Sequence, residues 1–185
     1  MAGDFNILGM VGSLRKGSFN RGLMEAARER LPEGANLTVA DIGNLPLFSE
    51  DLESDMPSAV RTLKQQVERA NAVLIATPEY NYSVPGVLKN AIDWASRPYG
   101  QNSFNGKPVA IMGASIGMLG TARAQYHLRQ MFVFLNMYPV NQPEVMLPFA
   151  SQNFDSEGKL TNETTGRLIG ELLEALVGWS RRVGD

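Results

Sequence analysis

Short apolar runs alternate with stretches of helical periodicity along the whole 185-residue chain. Phe5-Asn6-Ile7-Leu8-Gly9-Met10-Val11 has the apolar, partly branched character of a buried strand. From Asn20 onward, Gly22, Leu23, Met24, Ala26, Ala27 and Leu31 recur at the spacing of one helix face. The pair repeats as a strand over 37–40 and a helix over 57–69, the latter with Val60, Leu63 and Val67 on one side. Residues 72–76 show no polar alternation, which marks a strand covered on both faces. A helix over 86–96, a strand over 109–112, a helix over 121–135, a weaker fifth strand near 137–145 and a long helix over 161–183 complete the series. This order predicts an α/β fold of three layers, a five-stranded parallel sheet in order 2-1-3-4-5 with helices on both faces. No repeat or low-complexity segment interrupts it, and one domain over 1–185 is expected. The longest irregular stretches, 42–56 and 146–158, are candidates for surface or subunit-contact loops.

In such sheets a ligand sits beyond the carboxyl ends of the strands, where the strand order reverses. Three loops meet that condition: 12–20, 77–85 and 114–120. The first, Gly12-Ser13-Leu14-Arg15-Lys16-Gly17-Ser18-Phe19-Asn20, lies between a strand and a helix, where free backbone N–H groups and the positive end of the helix dipole favour an anion. Ser13, Ser18 and Asn20 can donate to phosphate oxygens, Arg15 can grip two of them with its planar fork, and Gly12 and Gly17 let the backbone come close. Read alone, the loop is also consistent with an ordinary polar connection. It is not the triphosphate loop, because Ser18 and Phe19 stand where lysine and a hydroxyl residue are required. Gly9 and Gly12 do not give the G-x-G-x-x-G dinucleotide spacing either, so a single terminal phosphate is the better match.

The second loop, Thr77-Pro78-Glu79-Tyr80-Asn81-Tyr82-Ser83-Val84-Pro85-Gly86, has the rigidity and flat groups of a pocket wall. Its tyrosines could equally cover the sheet edge, and Ser83 is placed to cap the next helix. The third, Gly113-Ala114-Ser115-Ile116-Gly117, matches the nucleophile elbow of α/β-hydrolases. That chemistry needs an acid and then a histidine downstream, yet the one histidine, His127, follows in the very next helix with no acidic residue before it. The glycines of this loop instead allow backbone amides to approach the edge of a planar ring.

Composition narrows the chemistry further. With no cysteine and one histidine, thiol nucleophiles, disulfides and multi-histidine metal sites are excluded, and His127 reads as a helix-face residue. A bound cofactor is then the economical source of reactivity. The net charge of −2 comes without the basic stripe of a nucleic-acid partner. Asp4 stands where a secretory leader would carry positive charge, and no apolar stretch approaches the roughly 20 residues that span a bilayer, so no membrane partner and a cytoplasmic location are expected.

Loop 12–21 together with Pro78-Glu79-Tyr80-Asn81-Tyr82-Ser83-Val84-Pro85-Gly86-Val87-Leu88-Lys89-Asn90-Ala91-Ile92-Asp93-Trp94 resembles the NADPH-dependent FMN reductase family, the branch of bacterial quinone and chromate reductases above all. The resemblance implies a flavodoxin-like fold that holds FMN, as a homodimer or homotetramer. It implies that Ser13, Arg15, Ser18 and Asn20 hold the phosphate end, with Phe19 also among the cofactor-binding residues, that Pro78, Glu79, Tyr80, Asn81 and Ser83 hold the ring, and that Ser115 and Gly117 border its other edge. Arg123, Tyr126 and Glu144 would stand at subunit contacts near the flavin, with Tyr82 or Arg123 on the substrate face. It further implies ping-pong chemistry in which NADPH or NADH passes hydride to flavin N5, and a small oxidant such as a quinone, chromate, an azo compound or free flavin then takes the electrons. No protein nucleophile is needed, so no side chain is assigned a catalytic role. The alternative is a flavodoxin-type electron carrier. Such carriers are strongly acidic with a threonine-rich phosphate loop, unlike this serine–arginine loop in a chain of pI near 5.5.

Overall fold

The computed structural model describes residues 5–184, so Asp4 lies outside the described residues. The strands are β1 (Phe5–Val11), β2 (Ala35–Val39), β3 (Ala72–Ala76), β4 (Pro108–Ala114), β5 (Tyr138–Pro139) and β6 (Val145–Leu147). The helices are α1 (Phe19–Arg28), α2 (Ser58–Arg69), α3 (Gly86–Ala95), α4 (Ala122–Leu135) and α5 (Glu163–Val183). All strand pairs are parallel, in the order β2-β1-β3-β4-β5, with β6 also on β4. The expected order therefore holds, and the fifth strand is divided. Tyr138 and Pro139 pair with Pro108 and Val109, and 145–147 rejoin further along at Met112–Ala114.

Alternate residues of the central strands face two separate cores. Leu8, Met10, Val73, Ile75, Val109 and Ile111 pack on α2, α3 and α4 through Leu63, Leu88, Trp94, Leu128 and Phe132. Ile7, Leu74, Ala76, Ala110 and Met112 pack on α1 and α5 through Leu23, Met24, Ile169, Leu172 and Leu176. This two-sided burial explains why β3 carries no polar position. The 42–56 stretch is not wholly a surface loop. Ile42 and Leu45 enter the core, and Pro46 O accepts from Trp94 Nε1 at 2.8 Å and from Asn90 Nδ2 at 2.9 Å, which ties the segment to α3. The connection from α3 to β4 is pinned by Lys64, whose Nζ donates to the carbonyls of Ala95, Arg97 and Gln101; burial pushes its pKa down, with Glu68 and Glu53 opposing. No helix among the described residues is long and apolar enough to cross a membrane.

Candidate flavin site

The β1, β3 and β4 loops meet at the carboxyl ends of the central strands. Gly12 makes this possible: its N–H donates to Ala76 O at 2.9 Å, and a β-carbon there would press on Pro85 (3.0 Å) and Pro78 (3.2 Å). The phosphate loop and the β3 loop thus share one wall. Ser18 is the N-cap of α1, its Oγ accepting from Arg21 N at 3.3 Å, which leaves the hydroxyl hydrogen free to donate outward. No acidic residue occupies the first turn of α1, so its positive end is unopposed. Arg15 is exposed and its guanidinium lies 4.9 Å from the centre of the Phe19 ring.

Asn20, expected as a phosphate donor, lines the cleft and has a second task. Its side chain is buried and bonds the backbone of Ala114 in both directions, Nδ2 donating to the carbonyl and Oδ1 accepting from the N–H, each at 2.9 Å. It fixes the distance between the phosphate loop and the β4 loop.

The β3 loop closes in a two-residue hairpin, with Tyr80 and Ser83 exchanging backbone hydrogen bonds of 3.0 and 2.9 Å around Asn81 (φ 50°) and Tyr82 (φ 65°). Two successive left-handed residues make a type I′ turn, and asparagine accepts that conformation far more readily than tyrosine. Tyr82 is 70% exposed, with the Arg123 guanidinium 3.5 Å from its ring centre. Arg123 is held by Glu79, whose Oε1 accepts from Nε at 2.5 Å and from the second guanidinium nitrogen. Glu79 Oε2 accepts from the backbone N–H groups of Arg123 (3.0 Å) and Ala124 (3.1 Å). The carboxylate thus caps α4, where Thr121 offers no side-chain bond. Its hydrogen bonds to the Arg123 guanidinium hold that pKa above the ordinary arginine value, against a smaller opposing effect of burial.

Ser83 does not cap α3. Extended Pro85 stands at that N-cap without a side-chain bond, and Ser83 Oγ pairs instead with His127 Nδ1 at 2.9 Å. His127 is therefore a half-buried helix-face residue with a defined partner. The β3 loop is clamped to one side of α4 at two points, by Glu79 and by Ser83. Ser115 Oγ accepts from Gly117 N at 3.2 Å, so the elbow serine is engaged by backbone and the imidazole by another serine. Tyr126 and Glu144 approach each other at 3.5 Å beside this region.

The loops enclose a cleft of about 470 Å³, within the range of small-molecule sites. It is lined by Ser13, Arg15, Ser18, Phe19, Asn20, Pro78, Glu79, Tyr80 and Ser115, all expected, and by Ala114 and Ile116, which the sequence reading missed. Asn81, Ser83 and Gly117 stand outside the lining. A second cleft of about 430 Å³ lies across the phosphate loop, between α1 and the end of β2. Several of its charged groups are already paired, Arg28 with Glu25 at 3.0 Å and Asp41 with Gly43 N and Asn44, and it lacks the flat walls of the first. Hydroxyl, guanidinium and helix-terminal donors at one end of the first cleft, and Pro78, Tyr80 and Ile116 at the other, suit a flat ring carried on a phosphate tail.

Known proteins give the same picture. An NAD(P)H-dependent FMN reductase of Pseudomonas aeruginosa is 50% identical over 184 residues, covering 99% of each chain. A 2-hydroxy-1,4-benzoquinone reductase of a Burkholderia species is 45% identical over 93% of this chain and 94% of its own. Among solved structures, the flavoenzyme NAD(P)H:(acceptor) oxidoreductase of Paracoccus denitrificans superposes with a TM-score of 0.88 at 39% identity, covering 96% of this chain and 98% of the other. The sequence model of one family matches residues 5–152. On the motifs, the fold and these relatives together, the chain belongs to the NADPH-dependent FMN reductase family.

Proposed function

We propose that the chain is an FMN-dependent NAD(P)H oxidoreductase that reduces a quinone or similar small oxidant. The observation that carries this reading is the single cleft with phosphate-binding chemistry at one end and flat apolar walls at the other. When bound, FMN supplies the hydride acceptor and electron donor that the side chains of this chain lack. Ser13, Ser18 and Arg15, with the first-turn N–H groups of α1, hold the phosphate. Asn20 keeps that end in register with the β4 loop. Pro78, Glu79 and Tyr80 shape one ring wall and Ala114, Ser115 and Ile116 the other, while Asn81 and Ser83 set the turn behind the first and Gly117 braces Ser115 behind the second. Tyr82 and Arg123 form a shelf beside the open face, where nicotinamide and oxidant alternate.

The names of the quinone-reducing relatives support a quinone acceptor; chromate, azo compounds and free flavin also suit an open face. Anaerobic addition of NADPH to the purified yellow protein is expected to bleach the flavin absorbance rapidly, and added quinone to restore it. A flavin that NADPH or NADH leaves oxidised, and that only a partner protein reduces, would establish an electron carrier instead.

On the same reading the protein works in the cytoplasm as a homodimer or homotetramer, with Tyr126 and Glu144 near the contact. The outward side of α4 supports a self-contact, because Val133 is 83% and Phe134 72% exposed while Phe132 and Leu135 point to the core. Sedimentation velocity is expected to give a dimer or tetramer for the unmodified chain and monomer for Val133→Glu with Phe134→Glu. A monomeric unmodified chain overturns the assembly.

A further inference from the structure

We propose that Phe154 is a positioning residue for the phosphate grip: it backs Phe19, and Phe19 gives the Arg15 guanidinium a face to lie on. The inference rests on the reading of loop 13–20 as the phosphate site. Phe154 comes from the segment between β6 and α5, beyond the residues matched by the family model. That segment folds on itself through a Phe154–Leu160 bridge and through Asp155, whose Oδ1 accepts from Glu157 N (2.9 Å) and Lys159 N (2.8 Å). It docks on α1 at Gly22, where a β-carbon would meet Gly158 O at 2.5 Å and the Phe154 ring at 2.7 Å. The Phe154 and Phe19 rings then stack, centres 5.1 Å apart and 34° between planes. Arg15 completes the ladder 4.9 Å above Phe19.

An arginine on an exposed, glycine-flanked loop loses rotamer freedom when it closes on an anion. One already lying on an aromatic face has lost part of that freedom before the ligand arrives, and the fork is held over the N-terminus of α1. Phe154 itself offers the phosphate no polar group; its removal takes away the ring that backs Phe19, the residue under the Arg15 guanidinium.

Riboflavin, which has the ring and lacks the phosphate, separates this role from a general structural one. Fluorescence titration of the full chain with FMN and with riboflavin is expected to show that Phe154→Ala weakens FMN about three- to fivefold and leaves riboflavin unchanged. Phe154→Tyr should restore the FMN value, and in an Arg15→Ala background Phe154→Ala should have no further effect on FMN. Should the alanine variant not fold, Phe154→Leu keeps bulk against Gly22 without the ring and is expected to give the same pattern. Equal losses for both ligands, or an undiminished loss in the Arg15→Ala background, overturn the proposal. An unmodified chain that binds FMN no better than riboflavin overturns the phosphate reading itself.

Discussion

Gly113→Ala is expected to lose about 3 kcal/mol or more of stability, and its flavin with it. A β-carbon on Gly113 would stand 2.5 Å from the Thr77 carbonyl oxygen and closer still to Thr121 Oγ1. Neither neighbour is free to move. Thr77 is fully buried, and its N–H donates to Met112 O at 3.0 Å in the β3–β4 ladder; Thr121 is buried at the start of α4. The added methyl must therefore part the β3 loop from the β4 loop and the start of α4, and with them the walls of the cleft. Urea unfolding and flavin retention on gel filtration check this, with Gly117→Ala as the control. There the nearest atom is Ser115 Oγ at 3.6 Å, and stability should stay within about 0.5 kcal/mol of the parent. A Gly113→Ala protein with the parent midpoint would mean that the loops yield without cost.

Glu79→Ala is the second large effect, expected at about 2 kcal/mol from the orphaned helix N–H groups alone. Its carboxylate side chain is only 5% exposed and serves the backbone of Arg123 and Ala124 as well as the guanidinium. Without it Arg123 is freed from its place over Tyr82, so KM for the oxidant should rise along with the fall in unfolding midpoint. Glu79→Gln, which keeps a carbonyl acceptor, should recover part of the stability. The raised Arg123 pKa means that the stabilisation linked to its charge is complete below the ordinary arginine value and is lost as pH rises from there through the folded one. The contribution of that arginine charge to the stability difference should accordingly be the same at pH 6 and pH 9. A variant as stable as the parent, with unchanged KM, would remove Glu79 from this role.

The parts of the fold written in local pattern were legible. β3, β4 and the 7–11 part of β1, buried on both faces, read as unbroken apolar runs, and the helices as regular stripes, which pointed to the strand order and hence the three loops. The meeting of loops 12–20, 77–85 and 114–120 around one cleft followed from that order, whereas a phosphate end and a ring wall are proposed from residue types together with the family resemblance. The failures share a cause in contacts distant along the chain. Ser83 looked like a cap because it precedes Pro85, and only the arrival of α4 gives its hydroxyl a partner in His127. Glu79 caps a helix that begins more than forty residues later, which no local capping signal records. Asn20 carries a donor suited to phosphate, and its bonds to Ala114 depend on a strand far downstream. The turn at Asn81 and Tyr82 lacks the glycine that ordinarily announces its type.

The divided fifth strand has a consequence for how this chain behaves when crowded. An exposed sheet border with a long row of unpaired backbone groups is a template for other chains. Here that border offers two pieces of two and three residues, with Pro139 inside the first and Pro143 between them. Proline donates no backbone hydrogen bond. Such a border cannot propagate a cross-chain ladder, so on this side the sheet is closed to edge-to-edge pairing.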